Sequence, residues 1–231
     1  VTPAGALPAV LFDVDGTLVD SNYLHVHAWY RAFDEANVEV EAWRIHRSIG
    51  MDGSTLVSSL AEGADDGTRS RLKDLHSRYY QETVPLLRPL PGARELLNAV
   101  DELGLQTVLA TSAPEDELSI LRKVLASDDL VSAVTSSNDV DTAKPKPDII
   151  EVALDRAGVD ADHAVFVGDT VWDVEACERA GVPTIAVLSG GVSRGELETA
   201  GAQAVFDNPG DLCQHLDSTA IGALAKAVQT A

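Results

Sequence analysis

Residues 10–20 read VLFDVDGTLVD. The run opens on continuous apolar residues, the pattern of a strand buried on both faces, and it ends in Asp13 and Asp15, two carboxylates separated by one residue. Asp-Gly between apolar runs is also a strong hairpin signal. Taken alone, Asp15-Gly16 reads equally as a tight turn or as the mouth of a site at a strand end. The rest of the chain separates the two.

Four further apolar runs end in polar residues: QTVLATS at 106–112, AVTSSND at 133–139, AVFVGD at 164–169 and TIAVL at 184–188. Each is nearly continuous rather than alternating, which predicts strands of a parallel sheet covered on both faces. Helical patterns lie between them. In ARELLNAVDELG, Leu96, Leu97, Val100 and Leu103 share a stripe, with Gly104 as the stop. PEDELSILRKVLAS opens on proline and acids, as a helix start does, and VWDVEACERAGVP closes on Gly181 and Pro183. Alternating strand and helix predict a doubly wound, Rossmann-like parallel α/β core.

Residues 22–88 break that rhythm. NYLHVHAWYRAFDEA, STLVSSLAE and TRSRLKDLHSRYYQETV read as helices with no strand between them. The simplest layout is an α/β core of residues 1–20 and 89–231 with an all-helical insertion at 21–88. The Pro-rich PLLRPLPG forms a stiff second join. The C-terminal STAIGALAKAVQTA reads as a short helix with a frayed end.

The 231 residues are 45% apolar, enough for a single good core. No apolar run approaches the ~20 residues that cross a bilayer, and VTPAGALPAV carries no secretory pattern, so the expected compartment is the cytoplasm. Cys177 and Cys213 share no metal or redox spacing and read as free thiols. With 37 acidic against 17 basic residues, the net charge of -20 disfavours nucleic acid and anionic membranes as partners. An anionic substrate would need a local cationic site. The oligomeric state is not legible.

In open parallel sheets ligands bind beyond the carboxyl ends of the strands. There the sequence puts Asp13 and Asp15, then Thr111 and Ser112, then Gly168 and Asp169, with Lys144 in AKPKPD after the third run and Asp173 four residues beyond Asp169. Carboxylates crowded at one sheet end repel unless a cation holds them, and a hard divalent ion such as Mg²⁺ suits oxygen ligands. One lysine and two hydroxyls beside them suit a phosphoryl group.

These residues resemble the haloacid dehalogenase-like hydrolases over essentially the whole chain. DVDGT resembles the first motif, Thr111-Ser112 the second, Lys144 before Pro145 the third and GDTVWD the fourth. The resemblance implies that Asp13 attacks phosphorus to form an aspartyl-phosphate and that Asp15 exchanges the proton with the leaving oxygen and with water. It implies Mg²⁺ held by the Asp13 carboxylate, the Asp15 carbonyl, Asp169 and, through water, Asp173. Lys144, Thr111 and N–H groups near Gly16 and Ser112 would balance the phosphoryl oxygens. Asp15 separates this chain from the metal-free dehalogenase branch.

By the same resemblance, the insertion is a cap that closes over the site and reads the substrate. RSIGMDG at 47–53 matches the position of a specificity loop, where Arg47 reads either as a contact to an anionic substrate or as a solvated helix end. His25 falls where relatives place a hinge histidine near the second aspartate, or is ordinary packing. His76 and the other histidines read as packing or surface, and Trp29, Trp43, Tyr79 and Tyr80 as packing of the cap. The expected function is a Mg²⁺-dependent phosphatase acting on a small anionic phosphomonoester. A β-phosphoglucomutase-like transfer is the first alternative. That subgroup carries an arginine after its loop glycine, whereas here Gly50 is followed by Met51, Asp52 and Gly53. A noncatalytic phosphoacceptor domain is the second alternative.

Overall fold

The computed structural model describes residues 6–136, 139 and 144–229. Among these, the strands β1 (Ala9–Phe12), β2 (Gln106–Ala110), β3 (Ala133–Thr135), β4 (Ala164–Gly168), β5 (Thr184–Val187) and β6 (Ala204–Phe206) form one sheet in the order β3-β2-β1-β4-β5-β6. Every pairing is parallel, and β1 lies between β2 and β4 with Phe12 opposite both Leu109 and Val167. That excludes an antiparallel hairpin partner for β1, although Asp15-Gly16 does turn the chain, with Gly16 N–H donating to Val19 O at 2.9 Å. The chain order reverses between β1 and β4, so the crevice of a doubly wound sheet opens at Asp13.

β1 is buried along its whole length because helices cover both faces. The expected strands all form, although Ser137 and Asn138 of the AVTSSND run lie outside the described residues. β6 was not expected: three residues on a sheet edge are too short to show a period.

The helices are α1 (Asn22–Glu35), α2 (Ala42–Ser48), α3 (Gly53–Leu60), α4 (Asp66–Thr83), α5 (Ala93–Glu102), α6 (Glu115–Leu125), α7 (Asp148–Ala157), α8 (Val171–Ala180), α9 (Arg194–Ala200), α10 (Pro209–Gln214) and α11 (Ala220–Gln229). The last two residues of the expected frayed end, like residues 1–5, lie outside the described part. No described helix is long and apolar enough to cross a membrane.

Helices α1 to α4 follow β1 directly, and no strand of the sheet falls among them. The expected loop at 47–53 is instead the end of α2, a turn and the start of α3, where Asp52 caps the N–H groups of Ser54 and Thr55. Trp29, Tyr79 and Tyr80 are buried as expected, but Trp43 is 66% exposed because it lies on the outer face of α2. The two joins run side by side: Asp20 N–H donates to Arg88 O and Leu90 N–H to Leu18 O, both at 2.9 Å. A single hydrophobic cluster runs from Val10 and Phe12 of the sheet to Phe33, Leu72 and Tyr80.

Candidate active site

The sheet brings Asp13, Asp15, Thr111, Ser112 and Lys144 to the wall of one cleft of about 850 Å³, with Trp29, His25 and His76 from α1 and α4 on its far side. Asp13 follows β1 directly, and its N–H still pairs with Val167 O at 2.9 Å. Lys144 is 1% exposed and donates to Asp13 Oδ1 at 2.7 Å, while its Nζ lies 2.7 Å from Asp173 Oδ1. A buried ammonium between two carboxylates stays charged, since both acids raise its pKa against the downward pull of burial. One lysine cannot neutralise the whole cluster. Burial raises the Asp13 carboxyl to about 7 in spite of Lys144. Burial, then Asp173 and Asp13, push Asp169 well above the usual carboxylate range.

Asp169 ends β4. Thr17 donates to its Oδ1 at 3.0 Å and Asn22 to its Oδ2 at 2.8 Å. Thr170 and Asp173 form the capping box that starts α8: Thr170 Oγ1 accepts from Asp173 N–H at 3.2 Å, and Asp173 Oδ2 accepts from Thr170 N–H at 3.0 Å. Asp13, Asp169 and Asp173 each present an oxygen within 4.8 Å of the others. Three buried carboxylates with this excess of negative charge fit a hard divalent cation such as Mg²⁺. Asp173 is already engaged by the capping box and Lys144, which leaves Asp13 and Asp169 as the freer donors.

Asp15 is held differently. Ser21 Oγ donates to its Oδ1, and His25 Nε2 approaches the same oxygen at 3.3 Å. Burial pushes this carboxyl up, but the hydrogen bond and charge of His25, with Ser21, outweigh it and hold it below the usual range. Burial would lower His25, and the Asp15 contact brings it above the usual imidazole value instead. His25 Nδ1 meets His76 Nε2 at 3.1 Å, while His76 stacks on Trp29 and His25 on Tyr80, both at 4.0 Å between centroids.

Gly16 makes the turn out of β1 at φ +73, and a Cβ there would lie 2.5 Å from Asp169 Oδ2. Thr111 is buried, with Oγ1 accepting from Ala113 N–H at 3.1 Å. Arg47 is not brought to the cleft. It lies in the last turn of α2, and its guanidinium pairs with Glu196 of α9 while its carbonyl accepts from Trp172 Nε1 at 3.2 Å.

Several residues at the site had no part in the sequence reading. Thr17, Ser21 and Asn22 are polar positions within or just after the first motif, a signal that was legible. Gly190, whose Cα packs against Asp169, stands in a plain LSGG turn. Glu117 passed as one of three acids at the start of α6.

A family model for haloacid dehalogenase-like hydrolases matches residues 10–187. A phosphoglycolate phosphatase of Rhodospirillum rubrum is 32% identical over 210 residues, covering 87% of this chain and 87% of that protein. An N-acetylmuramic acid 6-phosphate phosphatase of Pseudomonas aeruginosa is 27% identical over 219 residues, covering 91% and 95%. The crystal structure of a hydrolase from Pseudomonas syringae superimposes with a TM-score of 0.88 at 39% identity, covering 92% of this chain and 99% of that one.

Proposed function

Because the chain belongs to the haloacid dehalogenase-like hydrolase family, we propose that the strand-end cluster hydrolyses a small phosphomonoester through a phosphoryl group carried on Asp13. The observation that carries this reading is the pairing at β1. Asp13 is clamped through Oδ1 by a buried lysine, while Asp15, beyond Val14, is held by a separate set of partners in the same cleft. One carboxylate is thereby oriented as a nucleophile and the other as a proton carrier.

In this reading Oδ2 of Asp13 attacks phosphorus as the ester P–O bond breaks. The departing oxygen takes a proton held between Asp15 Oδ1 and His25 Nε2. Water then attacks the phosphoryl group, Asp15 accepts its proton, and the bond to Asp13 breaks. Lys144, Thr111 and the N–H groups beside Gly16 and Ser112 balance the phosphoryl charge. Asp13, the Asp15 carbonyl and Asp169 would hold Mg²⁺, with Asp173 placed beside them by its capping box. When bound, Mg²⁺ supplies positive charge that lets an anionic nucleophile meet an anionic ester. Residues 21–88 act as a cap on a core of 1–20 and 89–231, and their helices supply the aromatic wall that keeps water from the reacting atoms. The phosphorylated substrates named for the relatives support a phosphomonoester as the substrate class.

The test is phosphate release from an aryl phosphate with Mg²⁺. Asp13→Asn, which keeps shape but removes the nucleophile, should abolish turnover in a variant that still folds cooperatively, and a chelator should abolish turnover reversibly. Wild-type turnover by a verified Asp13→Asn preparation overturns the assignment. Transfer to a sugar phosphate without phosphate release would turn the reading toward a mutase.

A further inference from the structure

Glu117 lies in the first turn of α6, just beyond the Thr111-Ser112 strand end, and lines the cleft. Acids in a first helical turn ordinarily face water or cap open N–H groups. Glu117 caps no N–H group and is only 5% exposed: it makes no hydrogen bond or ion pair with any described residue, and what access its carboxyl keeps is beside the cleft it lines. Burial, with Asp15 and Asp116 nearby, pushes its carboxyl up to about 7 although His25 draws it down. A buried carboxyl without a donor is costly, and such a group in a cleft marks a place where a ligand supplies the missing partner.

The position selects the partner. Lys144, Thr111 and Ser112 belong to the phosphate end, and the leaving oxygen belongs beside Asp15. Glu117 lines the same cleft as Asp15 and His25, and it stands on the helix that follows the Thr111-Ser112 strand end, so it borders the part of the cleft that takes the alcohol portion of an ester. A carboxylate there would meet Asp15, Asp116 and Glu117 together, whereas a donor would satisfy the unpaired group. The cleft's other lysines sit elsewhere: Lys73 is on α4, donating to Ser54 Oγ at 3.2 Å, and Lys146 follows Lys144.

We propose that Glu117 is a specificity-determining residue that accepts a hydrogen bond from a hydroxyl or ammonium group on the alcohol portion of the substrate. The cleft thereby favours polyol or amino-alcohol monophosphates over carboxylate-bearing esters such as phosphoglycolate. This rests on the phosphatase reading for its catalytic readout but not for its binding readout.

The experiment compares wild type, Glu117→Leu and Glu117→Gln with Mg²⁺ present. Kinetics use glycerol phosphate, phosphoethanolamine, propyl phosphate and phosphoglycolate. Calorimetry uses the inert 2-hydroxyethyl-, 2-aminoethyl- and propylphosphonates. Wild type should prefer the donor-bearing esters and phosphonates. Glu117→Leu should lose about ten- to a hundredfold in kcat/KM and affinity for them, and less than about twofold for the propyl compounds. Glu117→Gln should retain most hydroxyl recognition and lose the ammonium preference. If the leucine variant fails to fold, the contrast between the two donors in the glutamine variant decides. Equal losses on every compound, or no wild-type preference for donors, overturns the proposal. A wild type that hydrolyses nothing overturns the phosphatase reading, and phosphonate binding then decides Glu117 by itself.

Discussion

At the scale of single residues, three carboxyls of this site hold protons at pH values where the unfolded chain would release them. Asp13 and Glu117 are each raised to about 7, chiefly by burial, and Asp169 is pushed up by burial and its acidic neighbours. A group whose folded pKa exceeds its unfolded value favours the native state while protonated. Asp13 and Glu117 therefore contribute stability below about pH 4 that is lost as pH rises through about 7, and Asp169 acts in the same direction. A divalent cation held by Asp13 and Asp169 would bind the deprotonated set, so its stabilisation should run the other way. The rise in melting temperature on adding Mg²⁺ should be larger at about pH 7.5 than at about pH 5, and largely absent in Asp169→Ala. A Mg²⁺ effect independent of pH would mean that the ion binds elsewhere.

At the scale of elements, the turn after β5 is as much a part of the site as the strand ends. A Cβ on Gly190 would lie 1.7 Å from Asp169 Oδ2, and the Gly190 carbonyl receives Asn22 Nδ2 at 3.4 Å and His46 Nε2 at 2.9 Å. Gly190→Ala should displace Asp169 and raise the Mg²⁺ concentration for half-maximal activity by about 10- to 100-fold, the usual cost of disturbing what orients a ligand. Gly195 in α9 has open space around its Cα, so Gly195→Ala is the matched control and should be neutral or slightly stabilising. Equal behaviour of the two variants in a Mg²⁺ titration would remove the turn from the site.

At the scale of the molecule, Arg47 and Glu196 join α2 to α9. Glu196 is lowered to about 2, chiefly by its hydrogen bonds from Arg47 and Ser193. Its contribution is therefore present above about pH 4.5 and lost as pH falls through about 2. Both side chains are well exposed, so a double-mutant cycle of Arg47→Ala and Glu196→Ala should return a small coupling that shrinks further as salt is added. Arg47→Ala should leave kcat/KM for phosphoglycolate and an uncharged aryl phosphate in the same ratio, and a selective loss on phosphoglycolate would return Arg47 to the cleft. The net charge of -20 acts over the whole surface. Self-repulsion of that size should make the melting temperature rise steadily as ionic strength is raised severalfold, and a flat response would mean that the surface acids are locally compensated.

The sequence by itself determined the sheet and the set of polar groups gathered at one end of it. Continuous apolar runs leave a buried parallel strand little alternative, and the polar residues that end such runs are carried to one edge of the sheet whatever the helices do. Asp13, Asp15, Thr111, Ser112 and Asp169 were legible for that reason, and Lys144 and Asp173 by their motif positions beyond the third and fourth runs. What lies between chain-distant segments was decided only by the tertiary structure. Arg47 turns to Glu196, 149 residues away, and not to the cleft that Ile49 and Gly50 line just after it. His76 becomes the partner of His25 because α4 packs along α1. Gly190 must be glycine because Asp169 fills the space where a Cβ would be. Glu117 carries the charge pattern of any helix start, and only the burial that closes around it leaves its carboxyl unpaired in the cleft. Periodicity reports which face of an element is covered, but it does not report which side chain from another element arrives there.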